Sequence, residues 1–255
     1  MKMLKALFPN RFSLLKSFAI TFLVFSFVVR LSLFFLGWNS IDFSLANFIQ
    51  VFAIGFLFDV GSLSYVLVAY SLYLLLFPSR YYGSLMDKII TKSAYALILF
   101  VLIFSFLSEI TFWLEYQKRF NFIAVDYLLY TYEVIENIHQ SYPLPLLVGG
   151  LILITYLAIK LAQKKKAYRK SFENNDSIRT EFFPALFWVA VFLAFHFNVK
   201  NSQAEIFENR VENELAKSGL YSFFAAYNSH ELNYNDFYIR NDEQKVQEQI
   251  ASLVA

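Results

Sequence analysis

The chain contains no cysteine and only three histidines among 255 residues. The missing thiols exclude disulfide frameworks, thiolate zinc sites and cysteine nucleophiles. Three histidines leave little material for an imidazole-built metal centre. Charge is also scarce: 16% of residues are Asp, Glu, Lys or Arg and the net charge is +2, so the total gives no reason to expect a nucleic-acid partner. A soluble domain usually carries ~25% charged residues and ~45–50% apolar ones. Here 58% are hydrophobic and 20% aromatic, with 31 Phe and 17 Tyr, and mean hydropathy is +0.46. That balance excludes disorder and an ordinary cytosolic enzyme, and it points to lipid.

A membrane-crossing helix needs ~20 mostly apolar residues. Five segments are read as crossings: about Ser17–Leu36, Asn47–Phe77, Ser93–Phe112, Leu144–Ala162 and the short Phe182–Phe197. The predicted fold class is therefore all-α, a polytopic membrane protein of five transmembrane helices over residues 1–197. Lys and Arg concentrate before the first segment, between the second and third, and between the fourth and fifth (Lys164, Lys165, Lys166, Arg169, Lys170, Arg179). The rule that positive loops stay inside predicts a cytoplasmic N-terminus and an extracytoplasmic C-terminus in a bacterial inner membrane. The first apolar run is too long for a cleaved signal peptide and is interrupted by Arg30, so it reads as a retained anchor.

Between the third and fourth crossings, Asp126, Tyr130, Glu133 and Asn137 recur at steps of 4, 3 and 4. On a helix they share one face, which predicts an amphipathic helix over about 120–140 at the outer surface. Residues 198–255 read as an extracytoplasmic helical connector. Within it one helix is expected from about Gln203 to Lys217, stopped by Gly219 and followed by the apolar stretch Leu220–Tyr227.

A charge within hydrocarbon costs at least ~2.5–3.5 kcal/mol on insertion scales, so each one needs a reason. Counting ~1.5 Å per residue puts Arg30, Asp59, Glu109 and His196 in the outer third of the membrane, on four different segments. Glu115 and Arg119 continue the set to the surface. One reading is structural, with Arg30 and Asp59 as an ion pair. The other is an outward-facing polar pocket that holds a lipid head group or seats a domain above it, with Arg30 or Arg119 meeting a phosphate. Arg30, Asp59, Glu109, Glu115, Arg119, Asp126, Tyr130, Glu133, Asn137 and His196 are the candidate site residues. His139 and His230 read as surface residues. Gly55 and Gly61 flank Asp59 and could loosen the second crossing, as Gly149–Gly150 could the fourth.

No phosphate-binding loop, dinucleotide fingerprint, zinc-protease motif or nucleophile elbow occurs, so no catalytic residue and no metal ligand is assigned. The runs KRFNFIAVDYLLYTYEVIENIHQSYP (Lys118–Pro143), FAIGFLFDVGSLSYVLVAYSLYLLLFP (Phe52–Pro78) and NRVENELAKSGLYSFFAAYNSHELNYNDFY (Asn209–Tyr238) resemble the lipoteichoic-acid-synthase-like family of sulfatase-type membrane proteins, which includes phosphoglycerol transferases. The resemblance implies five helices, a connector and then an alkaline-phosphatase-like catalytic domain that holds a divalent metal. That domain would begin where this sequence stops, so none of its catalytic residues or metal ligands has a position here. What carries over is a membrane anchor and lipid-presenting region. The implied partners are a membrane lipid, with phosphatidylglycerol as the candidate, and a sulfatase-type domain, fused or separate. A non-catalytic scaffold or assembly subunit, and a small transporter, are the alternatives.

Overall fold

In the computed structural model, residues 10–129, 132, 136, 143–164, 166–173 and 178–228 are described. They are all-helical, with no strand. Helix α1 spans Ser13–Leu36, α2 Leu45–Leu76, α3 Leu85–Tyr116, α4 Phe122–Leu129, α5 Leu144–Lys164, α6 Ala167–Glu173, α7 Ile178–Asn198, α8 Arg210–Ala216 and α9 Gly219–Asn228. Four are long and apolar enough to cross a membrane: α1 with its leading turn, α2, α3 and α5. In α7 the apolar stretch is the shorter Phe182–Asn198.

Local chemistry sets the helix ends. Ser84 caps α3, its hydroxyl accepting from the Asp87 amide at 3.2 Å, as N-cap serines do. The same helix stops at Gln117, whose φ of 48° lies in the left-handed region. Pro78 bars continuation of α2, because the residue before a proline is pushed to extended backbone, and Phe77 has ψ 127°. Pro143 lends its carbonyl to the amides of Leu146 and Leu147 at the start of α5.

The core is built on α1, which packs against both α2 and α3. Arg30 meets Gly55 and Asp59 while Phe34 meets Phe48 and Phe52, so α1 and α2 run antiparallel. Phe18 meets Tyr95 and Phe22 meets Phe106, with Gly37 near Trp113, so α1 and α3 run parallel. On the other side of α2, Phe58 and Gly61 lie against Phe195 and Tyr65 against Phe192, which makes α7 antiparallel to α2. One end of the bundle therefore gathers the α1–α2 loop and the C-terminal ends of α3 and α7. It is called the connector end below. The opposite, basic end holds the α2–α3 turn, the C-terminus of α5 and α6.

Both long glycine-bearing helices are continuous. Gly55 and Gly61 do not loosen α2; they let neighbours approach. A Cβ at Gly55 would collide with the Arg30 guanidinium, and one at Gly61 with the Phe195 ring. Gly149 and Gly150 lie within an unbroken α5 with nothing within 4 Å of a built Cβ.

The surface helix expected over 120–140 is described only in its first part, as α4. The single helix expected from Gln203 to Lys217 is instead a 3-10 turn at Asn201–Ala204, an irregular stretch and the short α8. Asn213 causes the break. Its side-chain amide bonds both the amide and the carbonyl of Phe207, each at 2.8 Å. Asn209 then starts a new helix by accepting from the amides of Val211 and Glu212. Nor does Gly219 stop a helix; it is the first residue of α9.

Candidate functional site

The chain after α7 does not lie above the bundle but turns back into it. Asn209 donates to the carbonyl of Ser40 in the α1–α2 loop at 2.9 Å, and Asn47, in the first turn of α2, donates to Glu212 at 3.0 Å. By Ser218 the chain has reached Ser62, hydroxyl to hydroxyl at 3.1 Å. Fifteen residues separate Asn47 from Ser62, roughly 22 Å of helix at ~1.5 Å per residue. Helix α9 then climbs out: Tyr221 donates to the carbonyl of Val199 at 2.5 Å, and Phe223 meets Phe120 beyond the end of α3. Helices α8 and α9 thus form a hairpin in the space between α2 and α3 at the connector end.

A hairpin in that position carries a backbone break at residues 217–218, and carbonyls near a helix C-terminus lack partners of their own. At this depth non-helical backbone is tolerated only where protein satisfies it. Two arginines do so. One Arg30 nitrogen, Nη1, donates to the carbonyls of Leu215 and, at 2.8 Å, Lys217. Arg119 donates through Nε to the carbonyl of Glu214 at 3.2 Å and through Nη2 to that of Leu215 at 3.3 Å. The Leu215 carbonyl is therefore shared by both guanidiniums. Cations at a helix C-terminus also complement its dipole.

Each arginine has its own carboxylate. Arg30 Nη2 donates to Asp59 Oδ2 at 2.7 Å, and Arg119 Nη1 to Glu109 Oε1. All four residues are at most 3% exposed. Two cations and two anions cancel, so the cluster presents no uncompensated charge to an incoming phosphate. Asp59 Oδ1 has no hydrogen-bond partner, which leaves one acceptor unused within the cluster. Glycine is required at 219, because a Cβ there would collide with the Glu109 carboxylate.

A second set of charges also fastens the hairpin. Lys217 Nζ lies 2.7 Å from Glu205 and 2.8 Å from Glu214. Burial alone would lower its pKa, but its bonds to the two carboxylates hold it above the ordinary lysine value. Burial raises the pKa of Glu212, against the Asn47 hydrogen bond that lowers it, and Asp42 adds to the rise.

Of the candidate residues, the structure brings together Arg30, Asp59, Glu109 and Arg119. His196 lies elsewhere, exposed on α7, with its Nδ1 3.0 Å from the Tyr65 hydroxyl. Glu115 is exposed beside Tyr116, and Asp126 is half-buried on α4. Tyr130, Glu133, Asn137, His139 and His230 lie outside the described residues. Sequence reasoning missed the acceptors, the carbonyls of residues 214, 215 and 217. Backbone carbonyls carry no sequence signal. The nearest hint was Ser218–Gly219 next to a polar helix.

Among the described residues no three His, Asp or Glu side chains converge on a metal-sized site. No protein family, curated protein or solved structure matches the chain.

Proposed function

We propose that this is the membrane region of a sulfatase-like enzyme acting on phosphate or sulfate esters, with phosphoglycerol transfer from phosphatidylglycerol as the leading reaction class. Its task is to anchor an extracytoplasmic catalytic domain and hold it at a fixed height over the lipid surface. The divalent metal and the nucleophile belong to that domain. The carrying observation is the hairpin lock, in which Arg30–Asp59 and Arg119–Glu109 grip the carbonyls of residues 214–217. Buried pairs of this kind add little net stability over apolar packing but fix one arrangement, since removing one partner costs ~3–5 kcal/mol. A connector gripped this way cannot swing freely. The distribution of Lys and Arg supports five crossings in a bacterial inner membrane, with the N-terminus cytoplasmic and the connector end outside.

The neutral charge balance favours seating a segment over holding a head group, because every described Arg30 and Arg119 bond goes to the protein's own carboxylates and carbonyls. The same balance is the observation that favours a second reading, a non-catalytic assembly subunit. The two separate in one experiment. The protein is purified from native membranes in mild detergent with a divalent cation and offered phosphatidylglycerol labelled in its glycerol head group. Release or transfer of labelled phosphoglycerol that vanishes with chelator supports the enzyme reading. The 255-residue chain is not catalytic on its own and should show no turnover by itself; a folded native preparation that carries no sulfatase-type domain, fused or separate, overturns the enzyme reading.

A further inference from the structure

Helices α2 and α7 run side by side but do not end together. Phe58 and Gly61 of α2 lie against Phe195, three residues before α7 stops at Asn198. From Phe58 back to Leu45, α2 continues for thirteen residues, roughly 20 Å at ~1.5 Å per residue. The chain just beyond α7 stays at the lower level. Tyr221 donates to the carbonyl of Val199, and Ser222 donates to Asn201 at 3.2 Å, so residues 199–201 lie about one turn above Ser218. Lys200, Ser202 and Gln203 are exposed there. Exposed charge and amide groups do not lie in hydrocarbon, so on this flank the outer boundary of the membrane is no higher than the end of α7.

Head groups add roughly 5–7 Å above that boundary. The outer tip of α1 and α2 therefore stands clear of the lipid, yet it is apolar. Phe35, Trp38, Phe43, Leu45 and Ile49 are exposed on it, Leu45 to 67% and Phe35 to 64%. It is also firmly packed. The Trp38 ring lies 5.5 Å from Phe34 and 5.3 Å from Phe43, and Phe48 lies 4.5 Å from Phe52. Contiguous exposed apolar surface marks a contact, and aromatic anchors of this kind are what protein interfaces use. Lipid fits poorly, because the outer leaflet would have to rise by roughly 20 Å between two helices packed on each other, and every ångström of mismatch has a cost. Two observations name a protein partner instead. Asn209, which starts α8, donates to the Ser40 carbonyl at 2.9 Å and to Asp42 at 3.3 Å, so the connector is fastened to the tip itself. Helix α9 ends at Asn228 and 27 residues of sequence follow; at up to ~3.3 Å per residue they can bring a following domain over the tip.

We propose that this aromatic tip is the seat of the extracytoplasmic domain, whose surface presents an apolar pocket to Trp38, Phe43 and Ile49. The inference rests on the enzyme reading above and names where the catalytic half docks. The lock fixes the connector and the tip fixes the domain, so the domain is held at two points and not by its tether alone.

The test uses the protein in its native membranes together with its domain, fused or separate. A benzophenone amino acid replaces Ile49 on the tip or, as a control, the exposed Leu97 well below it on α3, and adducts are mapped by mass spectrometry after irradiation. Position 49 is expected to give mainly adducts to peptides of a sulfatase-type domain, at least fivefold more than position 97. Phe43→Ser with Leu45→Asp, both at exposed sites, should lower them at least fivefold and leave the melting temperature of the bundle unchanged. Phe35→Asp serves if that pair does not fold. Lipid adducts alone at position 49 would overturn the seat, as would undiminished domain adducts in a folded tip variant. Chain-to-chain adducts at position 49 would overturn it by assigning the tip to a second copy. If no sulfatase-type domain accompanies the folded protein, the enzyme reading fails and the seat with it. If the domain is present and position 49 does not reach it, the seat alone fails.

Discussion

Replacing Arg30 with methionine removes the donor that serves Asp59 and the carbonyls of Leu215 and Lys217 while keeping much of the side-chain volume. Stranding Asp59 at 3% exposure carries the largest cost, because breaking one side of a buried ion pair costs ~3–5 kcal/mol. The two carbonyls add to this, but all three share one donor group and their costs do not sum. At ~1.4 kcal/mol per factor of ten, the population with the hairpin out of its seat should rise by roughly two to three and a half powers of ten. Since the chain has no cysteine, Ser218→Cys supplies a single reporter at a residue that is 4% exposed. Its labelling rate by a membrane-impermeant maleimide reads the open population. Arg30→Met should raise that rate by the same factor. Adding Asp59→Leu removes the stranded charge and should return at least tenfold of it, leaving the cost of the unpaired carbonyls. If Arg30→Met changes labelling by less than threefold, or if Asp59→Leu makes the double variant worse, the lock does not hold the hairpin.

Two glycines should respond in opposite directions. Gly219→Ala places a methyl against the Glu109 carboxylate and should lower stability by about 1–3 kcal/mol, the usual cost of overpacking, measured by thermal unfolding in detergent. Gly149→Ala meets nothing and should be neutral or gain up to ~1 kcal/mol of helix propensity. The fastening by Glu212 and Lys217 should depend on pH at both extremes. With its pKa raised in the folded protein, Glu212 binds its proton more tightly there than in the unfolded chain. Its penalty is therefore absent in acid and appears as pH rises through and beyond the ordinary carboxylate value; Glu212→Gln should flatten that part of the stability profile. Lys217 acts in the same direction at the alkaline end. Its pKa is raised too, so its contribution is complete below the ordinary lysine value and is lost as pH climbs through the higher folded one. Lys217→Met should remove this alkaline loss, read by maleimide labelling of Ser218→Cys across pH with correction for thiolate fraction.

The sequence by itself determined the long helices, because hydrophobic length is a local quantity: a run of ~20 apolar residues makes a spanning helix whatever surrounds it. It also placed Arg30, Asp59 and Glu109 near one level, because rise per residue is fixed. Azimuth was beyond it. Which face of α7 carries His196, and that this face meets Tyr65 and not the arginine cluster, depends on how the helices rotate against one another. The return of residues 210–228 into the bundle was equally hidden. Its short, broken helices read as a surface connector, and what holds them is a set of backbone carbonyls about 185 residues along the chain from Arg30. Glycine shows the same division. In the one-dimensional pattern Gly55 and Gly219 are helix weakeners, and only packing makes each the residue that leaves room for a buried charge. Composition and periodicity fix what a segment is. The long-range contacts that satisfy its charges and carbonyls exist only once the whole chain has closed around them.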